Sequence, residues 1–211
     1  MRYGMTLPPF GALADPRYLI ELAQAAEAAG WDAFFLWDTV IHDERSYPIA
    51  EPWSALAAIA AATKRLRLGV MLTPLSRRRP WQVARQVLTL DHLSNGRVIF
   101  GAGLGGAPHD FDWFGEETDA KVRAAMLDEG LQIVRGLWSG ERTSFAGQHY
   151  NLAPVQFAPR PVQSSIPIWI GGMWPNHAPM RRAARFDGVF PLSDGFRFHL
   201  RIWLPSRHLS S

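Results

Sequence analysis

Apolar positions along this chain recur with two alternating periods. Compact apolar runs at 2–7, 32–38, 66–74, 97–103, 166–172 and 187–192 predict strands, short and mostly bounded by turn-forming residues. Between them the apolar residues recur every three or four positions. In 16–30 the residues Leu19, Leu22, Ala23, Ala26 and Ala29 fall on one helical face, with Asp15 and Pro16 placed to start the helix and Gly30 to stop it. Segments 52–64 and 80–94 predict two further helices, the second ending at Asn95-Gly96. The longest helix is expected at 119–138, where Leu127, Leu131, Val134 and Trp138 keep helical spacing. Residues 142–152 read as a hairpin turning at Ala146-Gly147, and a last helix is expected around 178–186.

Strand–helix alternation with connections this long predicts parallel strands with helices outside. Two architectures suit the rhythm, an open doubly wound sheet and a closed (β/α)8 barrel. A length of 211 residues suits one domain with a real core, and 47% hydrophobic against 19% charged residues suits a globular chain. No apolar run approaches the ~18–20 residues of a membrane span, and the first residues show no secretory pattern, so a cytoplasmic protein without membrane contact is expected. Cysteine is absent, and the seven histidines lack metal-ligand spacing, so no metal centre is expected. Twenty of the 22 basic residues are arginine, clustered at 77–79 and 181–185 and again near the end. These clusters are short and not interleaved with aromatics, which points to solvated faces or a local anion grip and away from nucleic acid.

The stretch "RVIFGAGLGG", 97–106, spells Gly-x-Gly-x-x-Gly after a strand. A dinucleotide site needs a helix opening at the third glycine and an acidic strand end ~20 residues on. Here "APHDFDWFGEETD" follows, and the next long helix waits until about Asp119, so that reading fails on context. Glycines at a strand end also let a flat ring or a substrate approach the backbone.

The segment "LTPLSRRRPWQVARQVLTLDHLSNGRVIFGAGLG", 72–105, resembles the bacterial-luciferase-like family of flavin-dependent oxidoreductases. "AAGWDAFFLWD", "LDEGLQIVRGLWSGE", "FAGQHYNL", "PIWIGG" and "AARFDGVFPL" extend the likeness, in order, over roughly residues 1–194. The resemblance implies a TIM-type barrel with a hairpin insertion, and a cofactor across the C-terminal strand ends. FMN is the implied cofactor, with a deazaflavin coenzyme as the alternative. A small organic substrate is implied, together with a separate flavin reductase in the FMN case.

Carried onto this chain, the family pattern implies Met71, Leu72 and Thr73 of a bulged third strand against the ring, with Gly101 and Gly103 leaving room for it. Gly171 and Gly172, read as preceding a helix, offer backbone N–H groups to a cofactor phosphate; Arg181 or Arg182 could add charge there, but both are expected on a solvated helix face. Asp38, His42 and Asp110 are the candidate catalytic residues; Glu51 and Trp53 are expected only to open a helix. Deazaflavin-using relatives commonly show Trp-Asp-His where this chain has Trp37-Asp38-Thr39, which leaves His42 as the nearest replacement base. Relatives often carry a glutamate near the position of Asp110.

A complete barrel typically needs ~250 residues. Six strands are expected by Leu192, and 195–211 reads as an atypical tail, so the barrel domain is expected at 1–194, unclosed and truncated or frame-altered. Unpaired parallel edges then favour aggregation or a partner, a homo-oligomer among them.

Overall fold

The computed structural model describes residues 1–42 and 47–193; the expected tail at 195–211 lies outside the described residues. The strands are β1 (Gly4–Leu7), β2 (Ala33–Leu36), β3 (Arg67–Val70), β4 (Thr73–Pro74), β5 (Phe100–Gly103), β6 (Thr143–Ala146), β7 (Asn151–Val155), β8 (Ile168–Met173) and β9 (Gly188–Leu192). The helices are α1 (Pro16–Ala28), α2 (Pro52–Ala62), α3 (Pro80–Ser94), α4 (His109–Asp112), α5 (Ala120–Trp138) and α6 (His177–Ala183).

Helix starts follow local chemistry. Asp15 accepts from the Arg17 N–H, Glu51 from Ser54, and Asp119 from Lys121 and Val122, while α1, α2 and α3 all begin on proline. At the end of α3, Asn95 and Gly96 take positive φ values of 55° and 79°, the left-handed conformation that stops a helix.

β1, β2 and β3 pair in parallel, as do β4, β5, β8 and β9; a parallel bridge between Leu68 and Val98 joins the two groups. The described strands therefore form one open, barrel-like array with β1 and β9 at its edges. β6 and β7 pair antiparallel as the expected hairpin, displaced from the array. The third expected strand, 66–74, is interrupted at Met71–Leu72, where the peptide is cis.

The main core fills the space between strands and helices. Phe34, Leu36, Leu68, Val70, Phe100 and Ile170 face Leu19, Leu56, Ile59, Val87, Leu131 and Val134, all almost fully buried. Each such side chain contributes about 1.5–3 kcal/mol by leaving water. A second, smaller cluster of Ala33, Phe35, Met71 and Ile99, with Leu72, Trp169 and Phe190 against it, lines the inner face.

Part of the family-like motif at 90–97 proves structural. Arg97 is buried and donates to the carbonyls of Ala60, Thr63, Leu66 and Ser94 and to the Thr63 hydroxyl, tying the end of α2 to the end of α3. Asp91 accepts from the backbone of Val162 and Gln163 and from the Gln163 side chain.

Candidate active site

Register decides which side chains look inward, because residues paired across parallel strands share a face. Phe35 pairs with Thr6 and Gly69, Gly101 with Trp169, and Gly171 with Phe190. The inner face is therefore aromatic at Phe35, Trp169 and Phe190 and bare at Gly69, Gly101 and Gly171. Met71 and Leu72 both turn into the bare space: a Cβ on Gly101 would overlap the Met71 sulfur, and one on Gly103 or Gly171 would run into Leu72. This corrects one expectation. The glycines make room for the side chains of the interrupted strand, and Leu72, half-buried, forms a floor across Gly103 and Gly171.

Two further expectations change for the same reason. Thr73 pairs with Ala102, which lies in the helix-side core, so its hydroxyl is turned behind the rim, buried and without a partner among the described residues. Gly171 and Gly172 lie inside β8, which continues to Met173; a side chain at Gly172 would overlap Pro179, and α6 begins only at His177. No glycine turn feeding a helix N-terminus forms there. Arg182 is equally committed, donating twice to Asp128 at 2.8 and 2.9 Å, and Arg185 joins it at 2.9 Å.

The rim side chains that the sequence reading singled out separately do meet. The side chain of Asp38, at the end of β2, is 1% exposed and accepts from Arg77 at 3.1 Å and from Arg78 at 2.7 and 2.9 Å. Arg77, 6% exposed, also stands 3.7 Å from Asp110, and Arg78 reaches Glu51 at 3.2 Å. Burial opposes the charge on Arg78 most, but hydrogen bonds and attraction from Asp38 and Glu51 outweigh it and raise its pKa. Asp110, in α4, accepts from the Thr39 hydroxyl at 2.9 Å and from the N–H groups of Val40 and Ile41 at 2.8 and 3.0 Å. Both carboxylates are thus held by donors. Their geometry is that of positioning groups that staple the loops after β2, β4 and β5 across the end of the interrupted strand.

Arg77 and Arg78 were read from the sequence only as part of a basic cluster. Their one clue is position: three and four residues past the third strand, they share a rim with Asp38. His42 is exposed and stacks on Phe10 with ring centroids 4.1 Å apart, and its carbonyl oxygen lies 2.5 Å from Nε2 of His109. His109 itself sits beside Trp113, centroids 5.4 Å apart, on α4, whose four residues are too few to show a period in the sequence. A cavity lined by Arg135, Trp138, Ser139, Ile166 and Asp187 opens at the other end of β8 and shares no residue with this rim.

These features suit a flat, largely apolar ring: Leu72 supplies a floor at the carboxyl ends of parallel strands, and tied loops wall it. Buried polar atoms without a partner among the described residues, Ser76 Oγ and Arg77 Nε, lie in the turn after β4.

Residues 1–198 match the family described as luciferase-like monooxygenase. An F420-dependent glucose-6-phosphate dehydrogenase of Nakamurella multipartita is 34% identical over 202 residues, which cover 90% of this chain and 58% of the relative. Another, from Amycolatopsis mediterranei, is 35% identical over 165 residues, covering 76% of this chain and 49% of the relative. Among solved structures, an F420-dependent secondary alcohol dehydrogenase in complex with an F420–acetone adduct shares 26% identity at a TM-score of 0.78, covering 91% of this chain and 57% of that one. The FMN-bound oxygenating constituent of 3,6-diketocamphane monooxygenase from Pseudomonas putida shares the fold, with a TM-score of 0.76 at 22% identity, over 92% of this chain and 57% of that one. The chain spans about half the length of the curated relatives it matches. With one continuous match over nearly all its residues and a parallel-strand rim of the same architecture, the chain belongs to the luciferase-like monooxygenase family.

Proposed function

We propose that this chain is an oxidoreductase that uses a deazaflavin coenzyme to move hydride between a small alcohol and its carbonyl form. The observation that carries the reading is its likeness, 26% identity at a TM-score of 0.78, to the alcohol dehydrogenase whose structure holds an F420–acetone adduct. The glucose-6-phosphate dehydrogenases at 34–35% identity support the same coenzyme class.

When bound, the coenzyme supplies the ring carbon that takes or returns hydride. The chain's own residues do the rest. Met71 and Leu72 offer the floor for the ring, with Gly103 and Gly171 bare beneath Leu72 so that it lies flat. The pairs of Asp38 with Arg77 and Arg78 fix the loops that wall the ring and keep water away from it. Asp110 holds Thr39, Val40 and Ile41 in place, and with them the approach of a substrate past His42 and His109.

Titration of the purified chain with oxidised deazaflavin and, separately, with FMN tests the reading through coenzyme fluorescence. Saturable deazaflavin binding, at least about tenfold tighter than FMN, is expected, followed by anaerobic bleaching of the deazaflavin when a secondary alcohol is added. Preference for FMN, with oxygen uptake once a flavin reductase is supplied, would overturn it in favour of a monooxygenase. Tight deazaflavin binding without bleaching would overturn it in favour of a coenzyme-holding barrel without turnover of its own.

A further inference from the structure

We propose that the cavity at the amino end of β8 binds a small zwitterion, an α-amino acid with a short apolar side chain. The cavity lies at the opposite end of β8 from the rim, and its occupancy does not depend on the proposed function. Its walls come from three places in the chain. Arg135 and Trp138 stand in the last turn of α5, Ser164 and Ser165 in the loop before β8, Ile168 at the start of β8 and Asp187 just before β9.

The charges carry the inference. The Arg135 guanidinium stands 5.4 Å from the centre of the Phe186 ring, next in the chain to Asp187, which holds it by cation–π attraction. Asp187 is fixed from the other side. Its N–H donates to the Ile168 carbonyl at 3.0 Å, and its Oδ2 accepts from the Ile168 N–H at 2.9 Å, which leaves Oδ1 to a ligand. Arg135 and Asp187 line one small cavity, yet no ion pair joins them, and neither has another charged partner among the described residues. Arginines nearby in the chain do close on acids, Arg160 on Glu141 and Arg185 on Asp128. A guanidinium and a carboxylate held apart across a cavity match a ligand that carries both opposite charges on one short frame.

Size and polarity narrow the class. A cavity of about 120 Å³ is slightly smaller than one that accepts benzene, which sets the ligand at about six non-hydrogen atoms. The indole N–H of Trp138 is already given to the Ala84 carbonyl at 3.0 Å, so Trp138 and Ile168 offer apolar surface, suited to a short alkyl group. The hydroxyls of Ser164 and Ser165, exposed and without a partner among the described residues, supply further donors for the carboxylate.

L-Alanine, propionate and ethylamine, titrated separately into the full chain, test the proposal, since each of the last two keeps one charge of the first. Amide correlation spectra are expected to show saturable shifts at Ile168, Asp187 and the Trp138 indole, with alanine at least about tenfold tighter than either analogue. Propionate as tight as alanine overturns the proposal in favour of a plain anion site, and ethylamine as tight in favour of a cation site. No saturable shift with alanine overturns it outright. Arg135→Gln, at an exposed helix position, is expected to weaken alanine about tenfold with Tm unchanged. Asp187→Asn, whose amide oxygen still accepts from Ile168, is expected to weaken alanine while leaving propionate at least as tight as in wild type. Wild-type affinity for alanine in either variant overturns the assignment, and none of these outcomes depends on coenzyme.

Discussion

Gly69 and Gly106 are the same residue under opposite constraints. A Cβ on Gly69 would overlap the carbonyl oxygen of Ile99, which is backbone and cannot swing aside, whereas one on Gly106 meets nothing within 4 Å. Gly69→Ala is therefore expected to cost about 1–3 kcal/mol, and Gly106→Ala to stay within about 0.5 kcal/mol of wild type; urea midpoints measure both. Asp38 makes the same point with charge. Its side chain is 1% exposed between two guanidinium groups, so Asp38→Ala leaves a buried Arg77 and a half-buried Arg78 without their main counter-ion. A loss of about 3 kcal/mol or more is expected, read as a lowered unfolding midpoint. A midpoint within the error of wild type would mean the pair stabilises nothing. None of this was legible from the glycine pattern or the arginine cluster alone, since both depend on what another strand brings within contact.

Carboxylates dock the outer elements onto the array. Glu129 of α5 accepts from the N–H groups of Gln148, His149 and Tyr150, tying the β6–β7 hairpin to the helix. Burial raises its pKa, but those three bonds prevail and leave it below the ordinary value of 4.5. A depressed folded pKa means the docking is at full strength above the unfolded value and is lost as pH falls through the folded one. Glu129→Gln is accordingly expected to speed hydrogen exchange at residues 148–150 at neutral pH, and wild type to approach the variant as the solution is acidified below 4.5. Asp128, depressed first by its hydrogen bond to Arg182 and further by Arg185, holds α6 to α5 with the same sign. At this scale the sequence was informative: every long helix appeared where its caps and spacing put it, because capping is decided within one turn. The break at Met71–Leu72 was expected only through the resemblance, as a bulged third strand, and not from the apolar pattern, and the short helix α4 was not expected at all. Continuous apolar character hid the first, and four residues are too few to show a period for the second.

As a whole, the described array is open, with β1 and β9 at its edges and Val189 of β9 exposed. Such an edge pairs readily with another strand. Concentration-dependent self-association is expected by sedimentation velocity, and Val189→Lys is expected to reduce it; a monomer at all concentrations would show the edge is protected. On the proposed function, coenzyme linkage would act on the same whole. Deazaflavin at a hundred times its Kd is expected to raise stability by about 2.7 kcal/mol, seen as a higher Tm.

By itself the sequence determined the order and kind of the elements, the parallel rhythm and the family, because apolar period, caps and turn residues act over a few neighbouring positions. The site was decided by tertiary structure. Which of two faces Thr73 shows, what fills the space over Gly171, and which donors reach Asp38 and Asp110 depend on strand register and loop closure, which bring together side chains 33 to 99 positions apart, such as Arg77 with Asp110 and Leu72 with Gly171. A linear pattern carries no record of that distance, so the chemistry of the rim emerges only once the strands stand side by side.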